Sequence, residues 1–183
     1  MTYVMSDLHG CQRMYRAMLQ QIGFSPEDTL YIIGDVIDRG AQGIPILLHM
    51  MAHPNIRLLM GNHERMMLDV IEGQNEPAEM LALHLARWRR NGGEVPRRAF
   101  LAQDPATQRA ILAYLHAAPY EVLLTIGGRE YHLVHAAPSP LGNTYDMVWA
   151  RFDEEEAFYS RQPIPPGRTV LFGHTATSRY QPC

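Results

Sequence analysis

This sequence has few cysteines and a small net charge, and each of these features excludes a class of protein. The 183 residues include two cysteines, Cys11 and Cys183, at opposite ends of the chain. Residues so far apart make neither a disulfide framework nor a cysteine metal site, so we expect free thiols in a reducing, cytoplasmic compartment. The formal net charge of −3 gives no basic surface for nucleic acid or membrane.

Long apolar runs are also lacking. None approaches the roughly 20 residues that a membrane-spanning helix needs, and the first residues, MTYVMSDLHG, lack a basic segment followed by a long apolar one. What the sequence does contain is an ordinary globular composition, with 46% hydrophobic residues. This length and composition predict one domain with a buried core, spanning residues 1–183.

Short apolar runs that end in polar, metal-competent residues recur along the chain. The clearest is Leu30–Gly40, LYIIGDVIDRG, where an apolar run predicts a buried strand and Asp35, Asp38 and Arg39 follow it. Charges at the end of a buried strand are costly unless a metal, a partner charge or an anionic ligand compensates them. Taken alone, the segment also fits an acidic turn. A functional site is favoured because polar residues follow predicted strands repeatedly along the chain.

The same arrangement is predicted at four further strand ends. The polar residues that follow those strands are Asp7, His9, Asn62, His63, His135 and His174. Helical periodicity between the first three strands predicts βαβ units with parallel strands, and open α/β sheets bind ligands at the edge where such strands end. The first pair alone is a weak signal, since an aspartate that caps a helix explains it equally well.

The donors at these strand ends are carboxylates, an amide and imidazoles, a mixture that suits transition metals better than calcium. Manganese is the preferred candidate, with iron, zinc, cobalt and nickel as alternatives. The set is too large for one ion, so we expect two metal ions in a hydrolytic centre.

Residues 73–118 have helical periodicity and predict an all-helical insertion over the sheet. Within them lies the basic segment Arg87–Arg90. The simpler interpretation is a solvated helix end, and the alternative is contact with an acidic or phosphorylated substrate.

Four ordered motifs resemble those of the metallophosphoesterase superfamily, and in particular its phosphoprotein phosphatase family. They are Asp7–Gly10 for DxHG, Gly34–Gly40 for GDxxDRG, Gly61–Glu64 for GNHE and Gly173-His174 for the final GH. The sequence is similar to the small bacterial and phage-type serine/threonine protein phosphatases. The resemblance implies an α/β, calcineurin-like fold, with two mixed β-sheets packed face to face and flanked by helices.

The resemblance also implies roles for individual residues. The implied metal ligands are Asp7, His9, Asp35, Asn62, His135 and His174. Asp35 would bridge the two ions, and Arg39 and Arg151 would hold the substrate phosphate with their planar guanidinium groups. His63 would protonate the leaving oxygen, and Asp38 would fix the tautomer of His63 and raise its pKa. Simpler interpretations are a turn partner for Asp38 and a surface arginine for Arg151.

The sequence departs from the family pattern in two places. His135-Ala136-Ala137 stands where the family usually has HAG, a change that affects backbone freedom and not the ligand. The family also continues into further strands after its last histidine, whereas this sequence stops at Cys183. We therefore hypothesise a truncated C-terminal end.

The resemblance predicts a metal-dependent phosphatase, with phosphoserine or phosphothreonine in proteins as the preferred substrate. The alternative is hydrolysis of diadenosine tetraphosphate, because a related branch uses the same centre on dinucleotide polyphosphates. A small phosphate ester or a phosphodiester is a further candidate substrate, although an arginine beside the metals favours a terminal phosphate. A non-catalytic phosphate-binding or scaffold protein is the remaining class, and the intact ligand set argues against it.

Overall fold

Two three-stranded sheets form the framework of the chain in the computed structural model, which describes residues 1–139, 141–150 and 167–175. The strands of the first sheet are β1 (Thr2–Met5), β2 (Thr29–Ile33) and β3 (Ile56–Leu59). Those of the second are β4 (Glu121–Ile126), β5 (Arg129–Val134) and β6 (Arg168–Leu171). The first sheet is parallel in the order β1-β2-β3, as the βαβ pattern predicts.

Helices connect and cover these strands. They are α1 (Gln12–Gln21), α2 (Gly43–Met51), α3 (Asn62–Glu72), α4 (Ala78–Arg90), α5 (Glu94–Leu101), α6 (Pro105–Ala117) and α7 (Thr144–Trp149). The predicted fold class, an α/β arrangement of two sheets flanked by helices, is confirmed. Both sheets were expected to be mixed, but among the described strands the first sheet is parallel and the second is mixed. None of the helices in the described part of the chain is long and apolar enough to span a membrane.

The first sheet is buried on both faces, because successive side chains of a strand point to opposite sides. Leu30 and Ile32 pack against the helices in the larger hydrophobic core. Tyr31 and Ile33 point the other way and contact Leu133 and other residues of the second sheet. This double burial explains why β2 is an uninterrupted apolar run without an alternating pattern.

The second sheet begins with a hairpin. Gly127 and Gly128 join β4 to β5 and both have positive φ, of 57° and 76°, a conformation that glycine adopts without steric cost and that tight hairpin turns require. Strand β6 then pairs with β5 in parallel. Because β5 and β6 run in the same direction, the residues that follow them emerge at the same edge of the sheet.

The helices α4, α5 and α6 occupy the segment predicted to be all-helical. Helix α4 begins at Ala78, after a 3₁₀ helix at Gly73–Asn75 and Pro77. Asp104 caps α6, accepting hydrogen bonds from the backbone N–H groups of Ala106 and Thr107. The extent of the domain over residues 1–183 stays a prediction.

Candidate metal centre

The polar residues that follow β1, β2, β3, β5 and β6 converge where the two sheets meet. A cavity of about 760 Å³ opens there. The predicted site residues that line it are Asp7, His9, Asp35, Arg39, Asn62, His63 and His174. Asp38 and His135 are fully buried beside them. Arg151 lies outside the described residues.

The backbone at this site is strained. Among the described residues, the non-glycine residues with positive φ are Asp7, His9, Asp35, Asp38, Arg39 and His174. A left-handed conformation of this kind costs a non-glycine residue on the order of 1–3 kcal/mol, and such residues cluster where function requires them. All six belong to the predicted site, so the fold tolerates this strain where it aims side chains into the cavity.

The Asp35 carboxylate lies between two groups of histidines. Its Oδ2 is 3.7 Å from His9 Nε2 and 3.7 Å from His63 Nε2. Its Oδ1 is 3.3 Å from His135 Nε2, and His174 belongs to the same group. Within each of these two groups the candidate ligand atoms lie within 4.8 Å of one another. One carboxylate thus faces two candidate ion positions with different oxygens.

Asn62 and Asp7 extend the two groups. Asn62 Oδ1 lies 2.9 Å from His135 Nε2 and 3.0 Å from His174 Nδ1, which makes it a further oxygen donor on that side. Asp7 Oδ1 lies 3.9 Å from His9 Nε2, and Asp7 Oδ2 accepts a hydrogen bond from the backbone N–H of His174. Asp7 therefore connects the loop after β1 with the loop after β6.

Backbone carbonyls orient two of the imidazoles. His135 Nδ1 lies 2.8 Å from the carbonyl oxygen of Ile33, and His9 Nδ1 lies 3.2 Å from that of Ile37. Donation from Nδ1 to a carbonyl directs Nε2 of each ring towards Asp35, the arrangement found in metal-binding histidines. Gly34 has to lack a side chain here, because a Cβ at this position would collide with the His135 ring.

The charges at the centre are strongly coupled. Burial alone would raise the pKa of Asp35, but the neighbouring imidazoles of His135 and His63 hold that pKa well below its usual range. Burial disfavours protonation of His135, yet the Asp35 carboxylate overrides it and raises the pKa of His135 to about 9. Burial lowers the pKa of His9, which favours its neutral form. The charged Asp35 carboxylate thus favours a positive charge beside it, and a bound dication would supply that charge.

The donors fit the divalent metal ions that this kind of centre implies. Each group offers imidazole nitrogens together with at least one carboxylate oxygen, a combination that manganese, iron, zinc and cobalt accept. His9 is in the neutral form that binds metals, and a bound ion would displace the proton that Asp35 favours on His135. The arrangement therefore fits two ions that share Asp35.

A buried chain of hydrogen bonds runs from the cavity to α4. His63 Nδ1 lies 2.5 Å from Asp38 Oδ2. The indole N–H of Trp88 donates to both carboxylate oxygens of Asp38, at 2.9 and 3.0 Å. Burial disfavours a charged His63, but the carboxylates of Asp38 and Asp35 outweigh it and raise its pKa.

Arg39 is held in place by the segment that follows α4. Its backbone N–H donates to the carbonyl of Gly92 at 3.3 Å, and its Nη2 lies 3.5 Å from His63 Nε2. Gly92 has φ of 92°, and a Cβ there would collide with the Arg39 backbone. Close approach of the two backbones therefore requires glycine at this position.

Two residues with structural roles at the site are absent from the sequence-based interpretation. Glu64 is fully buried and accepts hydrogen bonds from the backbone N–H groups of Asp35, Val36 and Ile37, so it holds the loop that carries the central carboxylate. Burial and the nearby Asp35 charge raise the pKa of Glu64 to about 7. Glu64 lies within GNHE, so the motif signalled it. Trp88 lies among arginines, and nothing in the local pattern indicated that it reaches Asp38.

A model of the calcineurin-like phosphoesterase family matches residues 2–181 of the sequence. The chain belongs to this family. The four ordered motifs predict this family, and its members use divalent metal ions.

Relatives of this phosphoesterase include the symmetrical bis(5'-nucleosyl)-tetraphosphatases of Salmonella typhimurium strain LT2 and Salmonella enteritidis PT4. Each is 38% identical over 84 residues, which cover 44% of this chain and 30% of the relative. The match thus spans less than a third of the length of these curated relatives.

Crystal structures of two proteins have the same fold as this phosphoesterase. A candidate diadenosine tetraphosphatase is 17% identical, with a TM-score of 0.61 over 93% of this chain and 73% of that chain. A serine/threonine phosphatase of Saccharomyces cerevisiae is 19% identical, with a TM-score of 0.51 over 85% and 45%. At such low identity these likenesses show the fold alone.

Proposed function

We propose that this phosphoesterase hydrolyses dinucleoside polyphosphates, with diadenosine tetraphosphate as the model substrate. Symmetrical cleavage adds water across the central P–O–P linkage and yields two molecules of ADP. The observation that carries phosphoester hydrolysis is the position of Asp35, whose two oxygens face separate groups of candidate ligands. The choice of substrate is supported by the activity named for the Salmonella relatives.

The proposed substrate differs from the one that the sequence analysis preferred. The motifs favoured a phosphoprotein and kept the dinucleotide as the alternative. The likeness to the yeast phosphatase concerns the fold and carries no information about substrate. Phosphoserine and phosphothreonine therefore stay a prediction, as do manganese and a cytoplasmic location.

The proposed metal ligands divide between two ions. Asp7, His9 and Asp35 would hold the first, and Asp35 would also contribute to the second. The other ligands of the second ion would be Asn62, His135 and His174. Two such ions, when bound, supply Lewis-acid activation of water and of the phosphoryl group.

The chain's own side chains would position the substrate and supply a proton. Arg39 lines the cavity beside His63, and its planar fork matches two oxygens of one phosphate. His63 would give the proton on Nε2 to the leaving oxygen, because its Nδ1 is engaged by Asp38. Asp38 would fix the tautomer and favour the protonated ring, and Trp88 would hold Asp38 in place from behind.

A different role for His63 competes with this assignment. His63 Nε2 lies as close to Asp35 Oδ2 as His9 Nε2 does, so His63 also qualifies as a ligand of the first ion. The bond to Asp38 and the contact with Arg39 favour the acid, because they connect the ring to the phosphate-binding side of the cavity.

The decisive experiment compares substrates on the purified chain with added manganese. We expect diadenosine tetraphosphate to be cleaved with a higher kcat/KM than phosphoserine and phosphothreonine peptides, and chromatography to show ADP as the product. A chelator should abolish the reaction. Formation of AMP with ATP would refute symmetrical cleavage, and faster turnover of the phosphopeptides would restore the phosphoprotein as the substrate.

A further inference from the structure

A second cavity lies next to the proposed metal centre, and the two share Trp149 as a wall. The second cavity has a volume of about 360 Å³, within the range of small-molecule sites. Trp149 also lies edge-on to His174, with ring centroids 6.2 Å apart. A molecule that reached from the metal centre past Trp149 would therefore enter the second cavity directly.

Aromatic side chains form one side of this second cavity. Tyr145 and Trp149 are four residues apart on α7, so they lie on the same face of the helix. Their rings stack at an angle of 26°, with centroids 6.1 Å apart. Tyr145 remains 60% exposed and so keeps a large apolar ring in contact with solvent. A flat aromatic ligand would cover that ring by stacking on it.

Cationic and acidic groups form much of the remaining lining. The Arg87 guanidinium lies 5.6 Å from the centre of the ring of Trp149, the residue that lines both cavities. His84 lies between two carboxylates, 3.4 Å from Glu76 Oε2 and 3.9 Å from Asp69 Oδ2. Arginine binds phosphate oxygens, and carboxylates accept hydrogen bonds from ribose hydroxyls. The cavity thus combines partners for a base, a sugar and a phosphate.

We infer that this second cavity is a nucleoside-binding subsite, in which one base of the substrate stacks on Tyr145. Arg87 then contacts the phosphate next to the ribose, and Glu76 accepts from the ribose hydroxyls. This inference rests on the proposed dinucleotide hydrolysis, and it names the part of the molecule that recognises the nucleoside. The inference also makes Arg87 a substrate contact. The sequence left this role open as the alternative to a solvated helix end.

Fluorescence tests nucleoside binding without turnover. The chain has two tryptophans, Trp88 and Trp149, and Trp88 is fully buried against Asp38. ADP added to the full-length protein in the presence of a chelator should quench the emission of Trp149, whereas inorganic diphosphate should not. The quench should disappear in Tyr145→Ala and persist in the matched variant Tyr145→Phe, which keeps the ring.

Kinetics on the metal-loaded protein provide the second measurement. The kcat/KM for diadenosine tetraphosphate is divided by that for p-nitrophenyl phosphate, which has no nucleoside. Removing an aromatic ring that stacks on a base typically weakens binding by about 5- to 160-fold. Tyr145→Ala should lower the ratio by such a factor through KM, and Tyr145→Phe should leave it near the wild-type value. Glu76→Gln should lower the ratio less.

The outcomes separate the subsite from the proposed function. If the wild-type protein cleaves diadenosine tetraphosphate but Tyr145→Ala leaves both the ratio and the ADP quench intact, the subsite is refuted and the function stands. If the wild-type protein fails to cleave this substrate but ADP still quenches in a Tyr145-dependent way, the subsite stands and the function is refuted. A wild-type protein that shows neither cleavage nor quenching refutes both.

Discussion

The two sheets contribute to the same centre in unequal ways. Strand β2 of the first sheet is buried along nearly its whole length, whereas Leu123 and Ile126 of β4 in the second sheet stay 58% and 43% exposed. The loops after β1 and β2 carry the strained carboxylates and the arginine, and the proposed acid lies in the first turn of α3, directly after β3. The second sheet contributes His135 and, after β6, His174. The more buried sheet therefore positions most of the proposed catalytic groups, and the more exposed sheet adds two imidazoles.

This difference has a physical reason. A left-handed aspartate costs folding free energy, so it persists only where the surrounding packing over-determines the loop. The first sheet supplies that packing from helices on one face and from the second sheet on the other. Predictions about single residues can therefore separate the contributions of the two sheets.

The largest expected effect comes from Asp35, the residue that faces both groups of histidines. Asp35→Asn removes the charge that attracts both ions, so we expect both to be lost and activity to fall to background. Elemental analysis of the purified variant measures this. Two ions retained at wild-type occupancy would contradict the bridging role.

Replacing His63 tests a proposed catalytic group that follows a strand of the first sheet. Proton donation is worth about 10²–10⁴-fold in rate and matters most when the leaving group is poor. His63→Asn should therefore slow hydrolysis of a phosphoserine peptide or alkyl phosphate by about that factor, and that of p-nitrophenyl phosphate far less. Metal content should stay near normal. An equal loss on both kinds of substrate, accompanied by loss of metal, would instead make His63 a ligand.

Two leucines of the second sheet test its two faces. Leu133 is fully buried against the first sheet, and Leu123 points to the opposite face and is 58% exposed. Leu133→Ala should lower the free energy of unfolding by about 2–5 kcal/mol, whereas Leu123→Ala should change it by less than about 0.5 kcal/mol. Urea denaturation measures both. Similar losses for the two variants would show that the outer face is also covered.

Glu64 tests the support of the strained loop. Glutamine at position 64 replaces one of the acceptor oxygens with an amide N–H, which faces a backbone N–H of Asp35, Val36 or Ile37. One buried donor without an acceptor costs about 1–3 kcal/mol of stability. The matched control is Glu72→Gln at the exposed end of the same helix, where we expect a change below about 0.5 kcal/mol. Equal melting temperatures for the two variants would contradict the role of Glu64.

The sequence predicted the strands, the connecting helices and the edge at which the polar residues meet, because local periodicity and strand-end composition encode these features. The resemblance supplied the family and the choice of site residues. Neither the local sequence pattern nor the resemblance predicted the contacts between distant segments. Trp88 lies 50 residues from Asp38, so no local pattern connected them. The cavity beside Trp149 is lined by residues of α3, α4 and α7. These helices are far apart in the sequence, so their local patterns could not predict the cavity.

The left-handed residues of the metal centre have a consequence for how such a site persists in evolution. Glycine adopts positive φ freely, so replacing Asp7, Asp38 or Arg39 with glycine would relieve local strain while removing a functional side chain. A population selected for folding alone would therefore drift towards glycine at these positions. The charged side chains at these positions are therefore held at the expense of stability, as expected where a function requires them.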